Sequence, residues 1–140
     1  MNETQFAKAL LDTIPPLIRL IRTEVRGAAV NFLSVPQFRV LANIKNGLNT
    51  VSQIAEHQGI SQPAMTKLVN GLVKKNLVLK KKSMIDGRET FLFLTPKGKK
   101  LHKTTWSKAQ DSIKIRLENI NIQNRVLIIK ALSILRAELV

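Results

Sequence analysis

Apolar residues recur every three to four positions through most of this chain, which is the spacing of a helix with one buried face. The first such segment runs from about Thr4 to Arg26, and Pro15 and Pro16 interrupt it. A proline pair either kinks a helix or lies in the first turn of a new one. The sequence leaves these two alternatives open.

Capping motifs divide the next part of the chain into three shorter helices. Ser34 with Gln37, and Thr50 with Gln53, have the spacing of a capping box, in which a hydroxyl caps the helix and a glutamine follows three residues later. Ser61 is predicted to cap the third of these helices. Glycine and asparagine tolerate the left-handed conformation that often ends a helix. The predicted helix ends are therefore Asn46–Gly47, Gly59 and Asn76.

Beyond Asn76 the pattern changes to that of β-strands. The segments from Leu77 to Met84 and from Phe91 to Leu94 are predicted to form a hairpin around a turn at Ile85–Arg88, which contains an Asp-Gly pair. Lys80 and Lys82 share one side of the first strand.

Two further helices are predicted after the hairpin. Thr95 and Pro96 are expected to begin a helix that continues to about Ile120, because proline is favoured in the first helical turn. A last helix is predicted from about Gln123 to Val140. A short helix, a tight turn and a second amphipathic helix form a helix-turn-helix, and the hairpin behind it would be a wing. The expected fold is mostly α-helical, a winged helix-turn-helix with a small β-hairpin.

The charge of the chain indicates a polyanionic partner. Its 140 residues carry a formal net charge of +14, and 44% of them are hydrophobic, which is enough for a packed core. Between Ser61 and Lys103 there are eleven basic residues and two acidic ones. Such focused charge fits nucleic acid first and an anionic membrane surface second. No apolar run reaches the roughly 18 to 20 residues of a membrane span, and no signal peptide is evident, so we expect a cytoplasmic protein.

The outer face of the third short helix has the residues of a DNA-reading surface. If Met65, Val69 and Leu72 face the core, polar residues must occupy the opposite face. Glutamine and asparagine suit adenine, lysine can read guanine or contact phosphate, and Ser61 with free N–H groups at the helix start could hold a phosphate. The predicted major-groove residues are Ser61, Gln62, Pro63, Thr66, Lys67 and Asn70.

The predicted wing is basic and has an arginine near its tip. Arg88 is expected to enter the minor groove, with Asp86 orienting it through a paired hydrogen bond. The alternative is an exposed ion pair of little energetic consequence. The predicted contacts to the DNA backbone are Lys74, Lys80, Lys82 and Lys97.

The segment from Leu33 to about Leu101 resembles the MarR family of bacterial regulators. The matching stretches are LSVPQFRVLANIKNG, TVSQIAEHQGISQPAMTKLVNGLVKKNLV, IDGRET and FLFLTPKGKKL. Two departures are visible: Asn76 replaces the usual glycine, and Gly87 stands where a second arginine is common. The resemblance implies a homodimer that binds a pseudo-palindromic operator in double-stranded DNA. It also implies possible release by a small-molecule effector, and we expect a repressor.

The resemblance divides the chain into three regions. Residues 1–32 are expected to be an N-terminal dimerisation helix, 33–100 the DNA-binding lobe and 101–140 the C-terminal dimerisation helices. No effector pocket is predicted, although the cationic side chains of Arg22, Arg26 and Lys45 could attract an anion.

Four other classes of function are less favoured. His57 and His102, the two histidines, have no ligand-spaced cysteine or acidic cluster around them, so no metal, cofactor or catalytic activity is expected. Only 4% of residues are aromatic, which makes a basic RNA-binding protein less favoured because base stacking needs aromatic surfaces. A nucleoid-associated winged-helix protein and a protein–protein adaptor remain alternatives.

Overall fold

The computed structural model describes residues 1–29 and 33–140, so residues 30–32, at the end of the predicted N-terminal region, lie outside the described part. Within it the chain forms six helices and one antiparallel hairpin, as predicted, and the winged helix-turn-helix fold is confirmed. The elements are α1 (Glu3–Ala28), α2 (Val35–Lys45), α3 (Val51–Gln58), α4 (Gln62–Lys74), β1 (Val78–Lys82), β2 (Thr90–Leu94), α5 (Pro96–Arg116) and α6 (Ile122–Leu139).

Helix α1 continues through its proline pair. Both Pro15 and Pro16 lie inside a single helix of 26 residues, which excludes the alternative in which a new helix begins there. Since proline has no N–H, the carbonyl groups of Leu11 and Asp12 lose their usual intrahelical donors.

The predicted caps of the three short helices are present, with one difference. Ser34 and Gln37 form the complete capping box of α2. At α3, the hydroxyl of Thr50 accepts the N–H of Gln53, but the Gln53 side chain accepts from the N–H of Asn49, at 3.3 Å, instead of from Thr50. Thr50 also forms a β-bridge with Phe91, so the start of α3 is joined to the base of the hairpin.

One core joins α2, α3, α4 and the hairpin. The inward residues of α4, Met65, Val69 and Leu72, are completely buried, as the apolar pattern predicts. They pack with fully buried residues of α2, α3, the hairpin and the turn before it, which are Val40, Leu41, Ile54, Leu77, Val78 and Leu92. This shared core sets the position of α4 relative to the wing.

The hairpin turn lies one residue later than predicted. The N–H of Glu89 bonds the carbonyl of Asp86 at 3.0 Å, so Gly87 and Arg88 are the central residues of the turn. The N–H of Ser83 bonds the carbonyl of Glu89 at 2.9 Å and closes the loop. The Asp-Gly pair therefore begins the turn instead of forming its centre.

Helix α5 begins against the end of α4. The Thr95 hydroxyl accepts the N–H of Gly98 at 2.9 Å and donates to the carbonyl of Asn76 at 2.7 Å. The N–H of Thr95 bonds the carbonyl of Leu77 at 3.1 Å. Asn76 itself has a φ of 58°, the left-handed conformation predicted for it. These bonds fix the start of α5 to the turn that precedes β1.

His102 is the middle ring of an aromatic stack. Its ring centroid lies 5.2 Å from that of Phe38 on α2 and 6.1 Å from that of Trp106, one turn later on α5. The Nδ1 atom of His102 is buried and has no hydrogen-bond partner among the described residues. Burial lowers the pKa of His102 below its ordinary value, and the nearby Lys45 ammonium lowers it further.

The chain divides into two compact units, Met1–Ala109 and Gln110–Val140. Helix α5 ends at Arg116, earlier than the predicted Ile120, and Asn121 caps α6 by accepting the N–H of Asn124 at 2.8 Å. The Arg125 side chain donates to the carbonyl of Ile120 at 2.6 Å, which stabilises the intervening turn. None of the residues of α6 is buried.

Candidate nucleic-acid interface

A tight turn joins α3 to α4 and gives the helix-turn-helix its geometry. Gly59 has a φ of 67°, a conformation that residues with a Cβ rarely adopt, and this lets the chain leave α3 abruptly. Ser61 then caps α4, with its hydroxyl accepting the N–H of Ala64 at 3.2 Å. The predicted turn and cap are therefore both present.

The outer face of α4 is exposed along its whole length. The buried residues Met65, Val69 and Leu72 hold the opposite face against the core. Every major-groove residue predicted from the sequence is exposed, as is the backbone-contacting Lys74; the exposed set is Ser61, Gln62, Pro63, Thr66, Lys67, Asn70 and Lys74. The structure thus brings these side chains onto one accessible surface, which we call the α4 surface.

The first turn of α4 offers fewer phosphate-binding donors than the sequence pattern predicts. Pro63 has no N–H, and the N–H of Ala64 is already bonded to the Ser61 hydroxyl. A helix start binds an anion through unpaired N–H groups, so these two positions contribute little.

The hairpin places its lysines on two different faces. Residues 78, 80 and 82 share one face because side chains alternate along a strand. Val78 on that face is buried, whereas Leu79 on the other face is 56% exposed. Lys80 and Lys82 therefore lie on the face of the hairpin that packs against the core at Val78. Lys81 shares the outer face with Leu79.

The tip of the hairpin is exposed, but its predicted ion pair takes a different form. Asp86 accepts a hydrogen bond from the backbone N–H of Arg88, at 3.0 Å, and the side chains of Asp86 and Arg88 form no ion pair in the described structure. The carboxylate therefore orders the backbone of the turn, while the guanidinium of Arg88 stays free of it. Both residues are exposed, and an exposed ion pair would gain little because holding the long arginine side chain costs conformational entropy.

A contact between the wing and α4 was not anticipated from the sequence. The Lys80 ammonium donates a hydrogen bond to the Oδ1 atom of Asn70, at 2.6 Å. Both side chains are exposed, and their residues come from different elements. The contact joins a predicted base-reading residue to a lysine that the sequence analysis assigned to the DNA backbone. Nothing in the sequence pattern signals it, because it depends on how the hairpin packs beside α4.

Lys97 is exposed in the first turn of α5, close to the end of α4. Its ammonium lies 3.4 Å from the carbonyl oxygen of Lys75, the residue that follows α4. This contact keeps a positive charge near Lys74. Lys97 is therefore placed beside the α4 surface, and not on a separate part of the molecule.

Residues 1–29 and 33–140 show neither a candidate metal site nor a candidate membrane-spanning helix. They contain no group of three or more histidine, cysteine or acidic residues that could hold a metal ion. Among the helices described, none is both long enough and apolar enough to cross a membrane.

Comparisons with known proteins identify the family. The sequence model of the MarR family matches residues 33–89, which include the helix-turn-helix and most of the wing. The uncharacterised HTH-type transcriptional regulator YfiV of Bacillus subtilis is 33% identical over 104 residues. That match covers 74% of this chain but 65% of YfiV, so the chain spans slightly less than two thirds of that relative. An uncharacterised HTH-type transcriptional regulator of Staphylococcus aureus is 28% identical over 102 residues, 64% of this chain and 70% of that protein.

Solved structures agree on the fold. A MarR family protein from Bacillus stearothermophilus matches with a TM-score of 0.82, covering 99% of this chain and 97% of its own. Its sequence identity is 21%, so this likeness concerns the fold alone. The matched sequence model and the relatives assign residues 33–89 of the chain to the MarR family, and the solved structure shares its fold.

Proposed function

We propose that this protein is a transcription regulator that binds specific sequences in double-stranded DNA. The observation that carries the proposal is the α4 surface, an exposed row of polar side chains on a helix whose opposite face is completely buried. Such a helix can enter the major groove, where polar side chains distinguish base pairs. The proposed reading residues are Gln62, Thr66, Lys67 and Asn70.

The electrostatics of the molecule support the same proposal. Basic side chains from α4, the wing and the start of α5 lie around the α4 surface, and they include Lys74, Lys82 and Lys97. These would contact phosphates and provide affinity without reading sequence. Arg88 at the exposed wing tip would enter the adjacent minor groove. A regulator of this kind works on chromosomal DNA, so we place it in the cytoplasm.

The exposed apolar residues near both termini favour a homodimer. Helix α1 exposes Phe6, Leu11 and Leu17, and α6 exposes Leu127 and Leu132, each by more than 45%. Surfaces of this kind are usually covered by association, and a second copy would cover them symmetrically. A two-fold dimer would recognise a pseudo-palindromic operator with half-sites about one helical turn, ~34 Å, apart.

Repression and release by a small molecule are part of the proposal because relatives are named as transcriptional regulators and the sequence resembles a ligand-responsive family. A dimer bound across a promoter would exclude the polymerase. Arg22, Arg26 and Lys45 are candidates for attracting an anionic effector.

A reporter gene behind the selected operator would test repression. Expression of the reporter should fall when the protein is present. Unchanged or increased expression would contradict repression.

The DNA-binding proposal is tested by competition. Duplexes enriched from a random library serve as the labelled probe in fluorescence anisotropy, and unlabelled duplex, single-stranded DNA and structured RNA compete. We expect the enriched duplex to compete at least about tenfold better than single-stranded DNA or structured RNA. The reason is that an exposed helix face such as the α4 surface fits the major groove of duplex DNA. Equal competition by all three would favour a basic RNA-binding protein, and enrichment of no motif would favour a nucleoid-associated one.

A matched pair of lysines tests the site itself. Lys67→Ala removes a charge from the α4 surface, whereas Lys108→Ala removes one from an exposed position in the middle of α5. Lys67→Ala should weaken binding to the enriched duplex by about fivefold or more, the effect of losing one good base or phosphate contact. Lys108→Ala should change it less than twofold. Equal effects would mean that only net charge matters and that α4 is not the reading helix.

A further inference from the structure

We infer that Lys80 is a specificity-determining residue which, together with Asn70, makes this part of the interface select guanine over adenine. The inference rests on the proposed function and assigns a base to one position of the α4 surface. Its starting point is the hydrogen bond of 2.6 Å from the Lys80 ammonium to Asn70 Oδ1.

The chemistry of the two groups fixes which atoms are presented to DNA. An ammonium group can only donate hydrogen bonds, so the atom that faces it must be the amide oxygen of Asn70. The amide nitrogen then points away from Lys80, with two N–H donors available. The remaining N–H groups of the ammonium are donors as well. The pair therefore presents donors and a positive charge, and its acceptor oxygen already accepts one hydrogen bond from Lys80.

That arrangement fits one purine edge better than the other. In the major groove guanine presents two acceptors, N7 and O6, whereas adenine presents the acceptor N7 beside the N6 amino group. An asparagine reads adenine by using its oxygen and its nitrogen together. Here the oxygen already accepts a bond from Lys80, and the ammonium beside it would repel an adenine amino group that approached its second lone pair. Guanine would satisfy the donors of Asn70 and Lys80 without leaving an amino group opposite a positive charge.

The backbone holds both residues in place. Asn70 follows Val69, which is completely buried, and Lys80 pairs in the hairpin with Leu92, which is completely buried as well. Val69 and Leu92 belong to the same hydrophobic core. The contact between the exposed side chains is thus set by buried neighbours on each element. A lysine that only contacts the phosphate backbone would not need to lie within hydrogen-bond distance of Asn70.

Lys82 provides the matched control. It lies two residues further along β1, on the same face as Lys80, and it is exposed. No hydrogen bond joins it to α4 in the described structure. Replacing either lysine by methionine preserves most of the side-chain length and removes the charge and the donors. The two variants should therefore lose the same general attraction to DNA and differ only in what Lys80 does to Asn70.

The test measures affinities for the enriched duplex and for a set in which each base pair is replaced in turn. Lys82→Met should weaken all duplexes by a similar factor and reduce the salt slope by about one. Lys80→Met should also remove most of the preference for guanine at a single base pair, a preference of about 5- to 150-fold in the unaltered protein. Asn70→Ala should lose preference at the same base pair, and the double variant should lose no more. Lys80→Arg should restore a guanine preference because arginine also donates.

Nuclear magnetic resonance of the free protein tests the contact without DNA. The side-chain amide signals of Asn70 should shift in Lys80→Met and remain unchanged in Lys82→Met. Unchanged signals in both variants, or a Lys80→Met effect spread evenly over all base pairs, would overturn the inference. A preference for adenine at the position read by Asn70 would overturn it too. Any of these results would contradict the inference about Lys80 but not the proposed function. Failure of the unaltered protein to prefer any duplex would contradict both.

Discussion

The carbonyl oxygen of Leu77 lies against the α-carbon of Gly98, so closely that a methyl group at position 98 would overlap it. The neighbouring atom is backbone and is held by the N–H of Thr95, so it cannot move aside easily. Gly98 therefore has a packing role at the start of α5, although its φ is not in the left-handed region.

We expect Gly98→Ala to lower the free energy of unfolding by about 1–3 kcal/mol, because the added methyl group must displace a backbone segment. Chemical denaturation in urea measures the change. Gly87→Ala is the control, since a Cβ there would meet nothing within 4 Å, and it should stay within about 0.5 kcal/mol of the unaltered protein. Equal stability of the two variants would contradict the close approach.

Removing the cap of the DNA-reading helix should destabilise the protein. Ser61→Ala leaves the N–H of Ala64 without its side-chain acceptor, and the expected loss is about 1 kcal/mol in the free energy of unfolding. Ser107→Ala, at an exposed position inside α5, serves as the control and should change little. If thermal melting gives the same midpoint for both variants, Ser61 does not stabilise α4.

The burial of His102 within its aromatic stack predicts a dependence of stability on pH. Burial and the nearby Lys45 lower the pKa of His102 in the folded protein, so the unfolded chain takes up the proton first as the pH falls. Stability should therefore be complete above the ordinary histidine pKa of about 6.5 and decrease as the pH falls below it.

The comparison uses His102→Phe, which keeps an aromatic ring between Phe38 and Trp106 and removes the buried Nδ1. Urea denaturation at pH 7.5 and at pH 5.5 should show a smaller loss of stability in this variant than in the unaltered protein. Identical losses would mean that other groups cause the whole pH effect.

The wing tip should contribute most where the minor groove is narrow. Arg88 is exposed at the centre of the hairpin turn, and narrow A·T-rich grooves have the strongest negative potential. Arg88→Ala should therefore reduce the difference in affinity between operators with A·T-rich and G·C-rich flanks, measured by fluorescence anisotropy. Lys81→Ala, on the outer face of the hairpin, should preserve that difference. An Arg88→Ala effect that ignores the flanks would exclude insertion into the minor groove.

A charge on α6 should separate the proposed dimer. Leu132 is 48% exposed in the isolated chain, and glutamate there would be buried without a partner on association. Leu132→Glu should raise the dimer dissociation constant at least about tenfold, which sedimentation velocity measures. Lys130→Gln, at an exposed position of the same helix, is the control because it also lowers the net charge by one unit. An unaltered dimer in both variants would place the interface elsewhere.

Local signals were sufficient for most of the fold. Ser34, Thr50 and Ser61 mark helix starts through side-chain bonds to their own neighbours, so their positions could be predicted from spacing alone. The end of α5 was placed four residues too late, because apolar residues such as Leu117 and Ile120 continue the helical spacing across the turn. The break depends on the Asn121 cap and on Arg125, whose side chain reaches back to two carbonyl groups.

The features of the candidate site that depend on one helix could be predicted from the sequence. The features that depend on how two elements pack together could not. Burial of Met65 and Val69 determines which side chains α4 exposes, and this follows from a period of 3.6 residues. The bond between Asn70 and Lys80 requires the angle and distance between α4 and the hairpin, which come from the packing of the core. Likewise, the carboxylate of Asp86 bonds a backbone N–H that only the actual turn geometry brings within reach.

The absence of any buried residue in α6 has a consequence for how the protein persists in a cell. Because none of its eighteen residues is buried, α6 gains little of the tertiary packing that supplies most helical stability in proteins. If a second subunit covers α6, as proposed, mass action would link folding to abundance, and the melting temperature would rise with protein concentration. Newly made, unpaired chains would then be the form most open to proteases, so the number of copies would influence their lifetime.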